Sequence, residues 1–358
     1  MAAFAAARGF YRNPAHSINR REDFMKGFAR ICFPVFALVV MLAGVAHAAV
    51  VELSLNLITP PGHLRNVHLF HPWIKQVEEK SGGTLKIVPH YSASLAPVNQ
   101  AYECVVTGVA DISEGNVYAM PGVFPLSEVI MLPDLGIGTK SQTYSANNWK
   151  AFKTVPAMAN EWKDAKMLWM HTAPPTFLLM GSKPVRRIED LRGLKLRISS
   201  STSVRVGEQL GFAPVAMPIS EIYQAVEKGV VDGVMTATEQ LVSRRMSEVV
   251  KTVTMLPLVA DSFFVSMNWD SWNKLSAEHK AVLESLSGDY AVEWSGKMWD
   301  DINEMAEKAH PEVEYITPTP EEMKRFWEAL APIKFEYADE LEKKGLPARQ
   351  VLNVMMGK

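Results

Sequence analysis

The sequence predicts an α/β protein built as two lobes. Strand-like and helix-like segments alternate along most of the 358 residues, the alternation starts afresh after Pro174-Pro175, and long helical stretches take over from Trp272 onward. Hydrophobic residues make up 48% and charged residues 21%, and the 21 Gly and 22 Pro show no repeat. That balance excludes collagen-like, wholly disordered and multi-span membrane chains.

The first 48 residues read as an export signal. Lys26 and Arg30 precede an apolar stretch over 31–46, and Ala46-His47-Ala48 supplies the small residues of a cleavage site. The stretch is shorter than the ~20 residues of a spanning helix and contains Pro34 and Gly44. Cleavage is expected after Ala48, with translation starting at Met25 and residues 1–24 dispensable. Cys32 falls in the signal behind Arg30, which does not suit lipid attachment, so Cys104 is the one cysteine of the mature chain and no internal disulfide is expected. Removing 48 residues leaves 310, enough for two domains. Six basic and two acidic residues leave with the signal, taking the net charge from −2 to −6. A nucleic-acid partner is therefore not expected.

In the mature chain, VELSLNLI over 51–58 alternates as a strand and stops at Pro60-Pro61. Leu69, Trp73 and Val77 recur at helical spacing, and Ser81-Gly82-Gly83 ends that helix before a strand over 84–90. A helix over 99–106 closed by Gly108 and a strand from Ala110 to Ser113 follow. The spacing then predicts a helix over 142–163 and a buried strand over 166–170. After the two prolines come a polar turn at 189–193, a strand over 194–198, helices over 203–210 and 219–228, and a strand at 234–236. Helices over 274–286, 290–309 and 320–344, with a strand at 312–317, complete the chain. Such alternation implies mixed, mostly parallel sheets with covered faces.

Enzyme signatures are missing: the sequence has no G-x-S-x-G, no H-E-x-x-H and no C-x-x-C. Cys104 reads as a buried, inert thiol. Gly136-Ile-Gly-Thr-Lys140-Ser141 has the outline of a phosphate loop, but its Lys does not follow a Gly, and it reads as a plain loop. His63, His68 and His71 lack a nearby Cys or carboxylate and read as a surface or partly packed cluster, so no metal and no cofactor are expected. The neighbours Asp300-Asp301 and Glu321-Glu322 diverge around their helices. Arg197 is different. Alternation sets Lys195 and Arg197 opposite Leu194, Leu196 and Ile198, on a strand that ends in Ser199-Ser200-Ser201. The carboxyl end of such a strand is where α/β sheets place ligands, and an arginine there offers a carboxylate a planar fork. A salt bridge to Asp190 or Glu221 is the structural alternative.

The run Ile188-Glu-Asp-Leu-Arg-Gly-Leu-Lys-Leu-Arg197, with Gly211-Phe-Ala-Pro214, Met217-Pro218, Glu221-Ile-Tyr223, Ala225, Gly229 and Val231-Asp-Gly233, resembles the DctP-type solute-binding proteins of tripartite ATP-independent periplasmic (TRAP) transporters. Glu79-Lys80-Ser81-Gly82-Gly83, Gly108-Val-Ala-Asp111, Phe124-Pro125 and Leu132-Pro133 extend the resemblance over essentially the whole mature chain. It implies a periplasmic binding protein fold whose lobes, 49–174 with 263–302 and 175–262 with 303–358, are hinged by crossing strands and a long helix. It also implies a monomer without catalytic activity that captures a small organic acid and delivers it to membrane permease subunits, with Arg197 on the ligand carboxylate. Many sialic-acid and C4-dicarboxylate members carry a second arginine in register with Phe177 and an asparagine in register with Thr236. Their absence implies a monocarboxylate with an apolar or aromatic body and disfavours glycan acids. Asn116 and Thr59 align with lining positions and are expected to add hydrogen bonds. A ligand-sensing receptor sharing the fold and an exported two-lobed hydrolase or transferase are the rival readings.

Overall fold

The computed structural model describes residues 50–358. The signal, its cleavage point, the start at Met25 and Cys32 lie outside the described residues. Two sheets organise the rest. The first holds β1 (Val51–Asn56), β2 (Leu85–His90), β3 (Ile112–Asn116), β4 (Lys166–Thr172) and β10 (Ser262–Met267) in the order β2-β1-β3-β10-β4. The second holds β5 (Phe177–Met180), β6 (Lys195–Ile198), β7 (Ala213–Ala216), β8 (Gly233–Thr236), β9 (Thr252–Thr254) and β11 (Glu314–Ile316) in the order β11-β9-β5-β8-β6-β7.

The sheets are mixed, as expected, with five of the nine strand pairings parallel. β10 runs antiparallel to both β3 and β4, and β5 antiparallel to both β8 and β9. Two of the three passages between the sheets lead directly into these strands: β4 leads through 173–176 into β5, and β9 leads through 255–261 into β10, while the third runs through the helices between β10 and β11. The first two passages are bonded to each other. Ala173 N donates to the Asp261 carbonyl at 2.9 Å, Thr176 N to Val259 O at 2.7 Å, and Leu258 N to Thr176 O at 3.0 Å.

Helices cover the sheets. The first, α1 (His71–Lys80), buries Trp73 and Val77 as its spacing predicts. The helix expected over 142–163 divides into α2 (Ser141–Thr154) and a short turn of helix, Pro156–Asn160, because Pro156 lacks an N–H and holds Val155 extended. In the second sheet, α3 (Ser201–Leu210) starts on Ser200, whose hydroxyl accepts from Ser203 N, and stops at Gly211 with φ 81°. The short α4 (Gln240–Ser243) follows β8, the long α5 (Gly288–Ala309) packs on α2 and touches α4, and α6 (Pro320–Glu342) lies on α3. The last helix, α7 (Ala348–Met355), returns to α2, so the 303–358 segment makes contacts on both sides of the molecule. On β5, Leu178 and Met180 join the main core while Phe177 and Leu179 join a smaller cluster with Ile222, Val226, Val234 and Val253.

Candidate functional site

A cavity of about 820 Å3 opens where the carboxyl ends of β1, β3, β6, β7 and β8 converge, with Thr59, Asn116, Arg197, Met217 and Thr236 in its wall. Both sheets thus present the ends at which α/β sheets bind ligands to one space. The passages between the sheets add Ala173 and Asp261, β10 adds Phe263, and α5 adds Trp299.

Arg197 is 2% exposed at the end of β6. Its Nε donates to the Met217 carbonyl at 3.1 Å, and it forms no ion pair among the described residues. Neither expected carboxylate reaches it. Asp190 accepts from the backbone N–H groups of Arg186 and Arg187, both at 2.9 Å, and Glu221 holds no ion pair among the described residues. Burial lowers the pKa of Arg197, as does the charge of Arg244, while Tyr118 and Asp261 oppose the shift. Asp261 shares the cavity wall; burial pushes its carboxyl up to about 6 against the pull of Arg197 and a 3.4 Å bond from Ser199 Oγ.

Two further arginines line the cavity. Arg65 is 3% exposed and pairs with the fully buried Glu114 of β3 at 2.8 Å. Its guanidinium lies 4.6 Å from the Phe263 ring centroid and 5.5 Å from that of Trp299. Behind this aromatic wall, Trp299 Nε1 donates to His171 Nδ1 at 2.9 Å, and the His171 ring stacks on Phe263 at 5.1 Å. An accepting Nδ1 makes His171 a neutral ring carrying its proton on Nε2, consistent with burial lowering its pKa well below the usual value. Arg244, just past α4, forms no ion pair among the described residues, and its Nε is buried without a partner. Glu239 and Gln240 complete this region; burial raises the pKa of Glu239, while the nearby Ser243 hydroxyl and then Arg65 and Arg244 oppose the shift.

Of the residues singled out by sequence, Arg197, Thr236, Asn116 and Thr59 meet at the cavity, and Phe177 does not. Phe177 opposes Thr236 across β5 and β8 but is packed into the smaller apolar cluster, so it stands behind the wall. The cavity's aromatic surface comes from Phe263, Trp299 and Tyr118, and its extra cations from Arg65 and Arg244, not from position 177. The histidines separate. His63 lines the cavity, buried and lowered to about 3 by desolvation and the two arginines; His71 meets the Tyr91 hydroxyl at 3.0 Å; His68 is exposed. Among the described residues no cluster of His, Cys, Asp or Glu could hold a metal. Cys104 is buried, and desolvation raises its pKa. Asp300 accepts from Ser141 N at 2.8 Å at the start of α2 while Asp301 pairs with Lys297 on the exposed face, so the two carboxylates diverge.

Arg65, Glu114, Arg244, Phe263 and Trp299 escaped sequence reading. One signal existed: Glu114 sits in Ile-Ser-Glu-Gly-Asn, a strand buried at every position, and a carboxylate there requires a cation. Nothing in the spacing identified Arg65 as that cation.

A model of the bacterial extracellular solute-binding proteins of family 7, DctP, matches residues 57–340. YiiZ of Salmonella typhimurium, described as uncharacterized, is 27% identical over 262 residues, 72% of this chain and 79% of its own. The C4-dicarboxylate-binding periplasmic protein DctP of Rhodobacter capsulatus is 29% identical over 168 residues, 46% of this chain and 50% of its own. The solved structure of a TRAP periplasmic solute-binding protein from Bordetella bronchiseptica with bound (R)- and (S)-mandelate is 26% identical with a TM-score of 0.78, covering 86% of this chain and 98% of that one.

Proposed function

Since this chain belongs to family 7 of the bacterial extracellular solute-binding proteins, we propose that its cavity holds a carboxylic acid by Arg197 and packs an aromatic or apolar body on Phe263, Trp299 and Tyr118. The protein is a periplasmic binding component of a TRAP transporter, capturing a small organic acid without catalysing a reaction. The observation that carries the ligand assignment is Arg197: a buried guanidinium, committed through Nε alone, at the carboxyl end of a strand and in the wall of a large cavity. An ordinary core arginine would be ion-paired, whereas Asp261 attracts Arg197 from the same wall without a salt bridge, so a direct counter-charge is missing among the described residues. A ligand carboxylate supplies that counter-charge with two parallel hydrogen bonds. The mandelate held by the Bordetella protein is an acid of this kind.

The captured acid is handed to membrane permease subunits by a monomer whose two sheets close on it about the paired passages 173–176 and 255–261. The first lobe comprises 49–174 with 263–302, and the second is centred on 175–262. A thermal-shift screen of the exported protein tests the ligand class. A binder raises stability by RT ln(1 + [L]/Kd), about 2.7 kcal/mol at a hundredfold excess over Kd. Aromatic and apolar carboxylic acids should raise the midpoint and sugar acids should not; the reverse order would reject the assignment.

A further inference from the structure

Around the cavity, three arginines face three carboxylates: Arg65 is paired with Glu114, Asp261 stands by Arg197, and Glu239 lies within the fields of Arg65 and Arg244. The site is formally neutral before a ligand enters, so one carboxylate on Arg197 already takes it to an excess negative charge. Away from Arg197, however, the wall is far from apolar. Thr59, Arg65, Asn116, Glu239 and Gln240 are each more than nine-tenths buried, all line the cavity, and all carry a side-chain atom without a hydrogen-bond partner. The unpartnered atoms are of both kinds. Glu239 Oε2 and Gln240 Oε1 accept; Arg65, through Nε, its Nη2 being held by Glu114, and the half-buried Arg244, through Nε, donate.

We propose that this polar end recognises a neutral hydroxyl on the ligand, so that the captured molecule is a hydroxylated aromatic or apolar monocarboxylic acid. This rests on the reading of Arg197 as the carboxylate anchor. A second carboxylate at this end would face Glu239, and an ammonium would face Arg65 and Arg244. A hydroxyl donates once and accepts twice, so it satisfies a carboxylate or amide oxygen and a guanidinium together at no cost in net charge. Buried groups poised for such a hydroxyl discriminate strongly, because an analogue without it leaves them unpaired.

Isothermal titration of the wild-type protein is the test. The probes are benzoate and phenylacetate, their 3- and 4-hydroxy derivatives, and the corresponding 3- and 4-carboxy diacids. At least one hydroxy acid should bind about tenfold or more tighter than its parent, and tighter than the matching diacid. That preference should fall towards one in Glu239→Met and in Arg244→Met, read as the ratio of the two affinities within each folded variant. Equal affinity for parent and hydroxy acids, or tighter binding of a diacid, overturns the inference and leaves the carboxylate anchor standing. If none of the acids binds, the anchor reading fails and the inference fails with it.

Discussion

Asp261 gives the site a pH dependence whose sign can be worked out at the level of one residue. Burial pushes its carboxyl up to about 6, above the ordinary 3.8, so the folded protein retains a proton that the unfolded chain releases. Its contribution to stability is therefore lost as pH rises from near 4 through about 6. Relative to wild type, Asp261→Asn should gain stability across that window and hold the gain above it, as urea unfolding at several pH values would show. The same protonation removes a negative charge beside Arg197. A monocarboxylate should bind the wild type several-fold more tightly at pH 5.5 than at pH 7.5, and Asp261→Asn should flatten that difference. The neighbouring titratable groups are His63, lowered to about 3, and the raised Glu239, Glu114 and Tyr118, all present in both proteins. A wild-type affinity independent of pH would remove Asp261 from the account. Arg197's place in the cavity wall was legible because alternation sets it on the polar face of its strand, at the carboxyl end ahead of three serines. Arg65 was not, since its partner Glu114 lies 49 positions away and only the fold brings them together.

Elements were legible where their sequence carries a period. β1, β6 and α1 alternate or repeat and fall where expected, whereas β5 and β10 were not separated from their surroundings. Phe-Leu-Leu-Met and Ser-Phe-Phe-Val-Ser-Met are buried at every position, so neither face meets solvent and no clear polar-apolar alternation marks them. β10 also depends on close approach. A Cβ at Gly115 of β3 would stand 2.5 Å from Phe264 Cζ and 2.7 Å from Ala101 Cβ. Gly115→Ala should therefore destabilise the protein by about 1–3 kcal/mol through overpacking, measured by urea or thermal unfolding. It should also weaken ligand binding, because Asn116 and Phe263, paired in register next to the clash, line the cavity. An alanine variant as stable as wild type would mean that β3 and β10 have room to separate.

For the whole molecule, length and repeated alternation indicated two α/β halves, and the long helices were legible as such. The antiparallel course of β5 and β10 was not, because it follows from the chain crossing between sheets through 173–176 and 255–261, a long-range fact with no local signature. Those crossings are narrow and bonded to each other, which predicts a hinge. Small-angle scattering should show a smaller radius of gyration on saturation with a bound acid; identical profiles would count against closure. Whether Arg197 holds the ligand carboxylate is read by calorimetry on wild type, Arg197→Ala and Arg197→Lys with the acid that the thermal screen selects. Losing a charge-assisted bidentate pair costs about 1.5–3 kcal/mol, so Arg197→Ala should bind at least about tenfold more weakly. Arg197→Lys should fail to recover the loss, since an ammonium cannot reproduce the guanidinium fork. Wild-type affinity in Arg197→Ala would contradict the account and leave the arginine a structural residue.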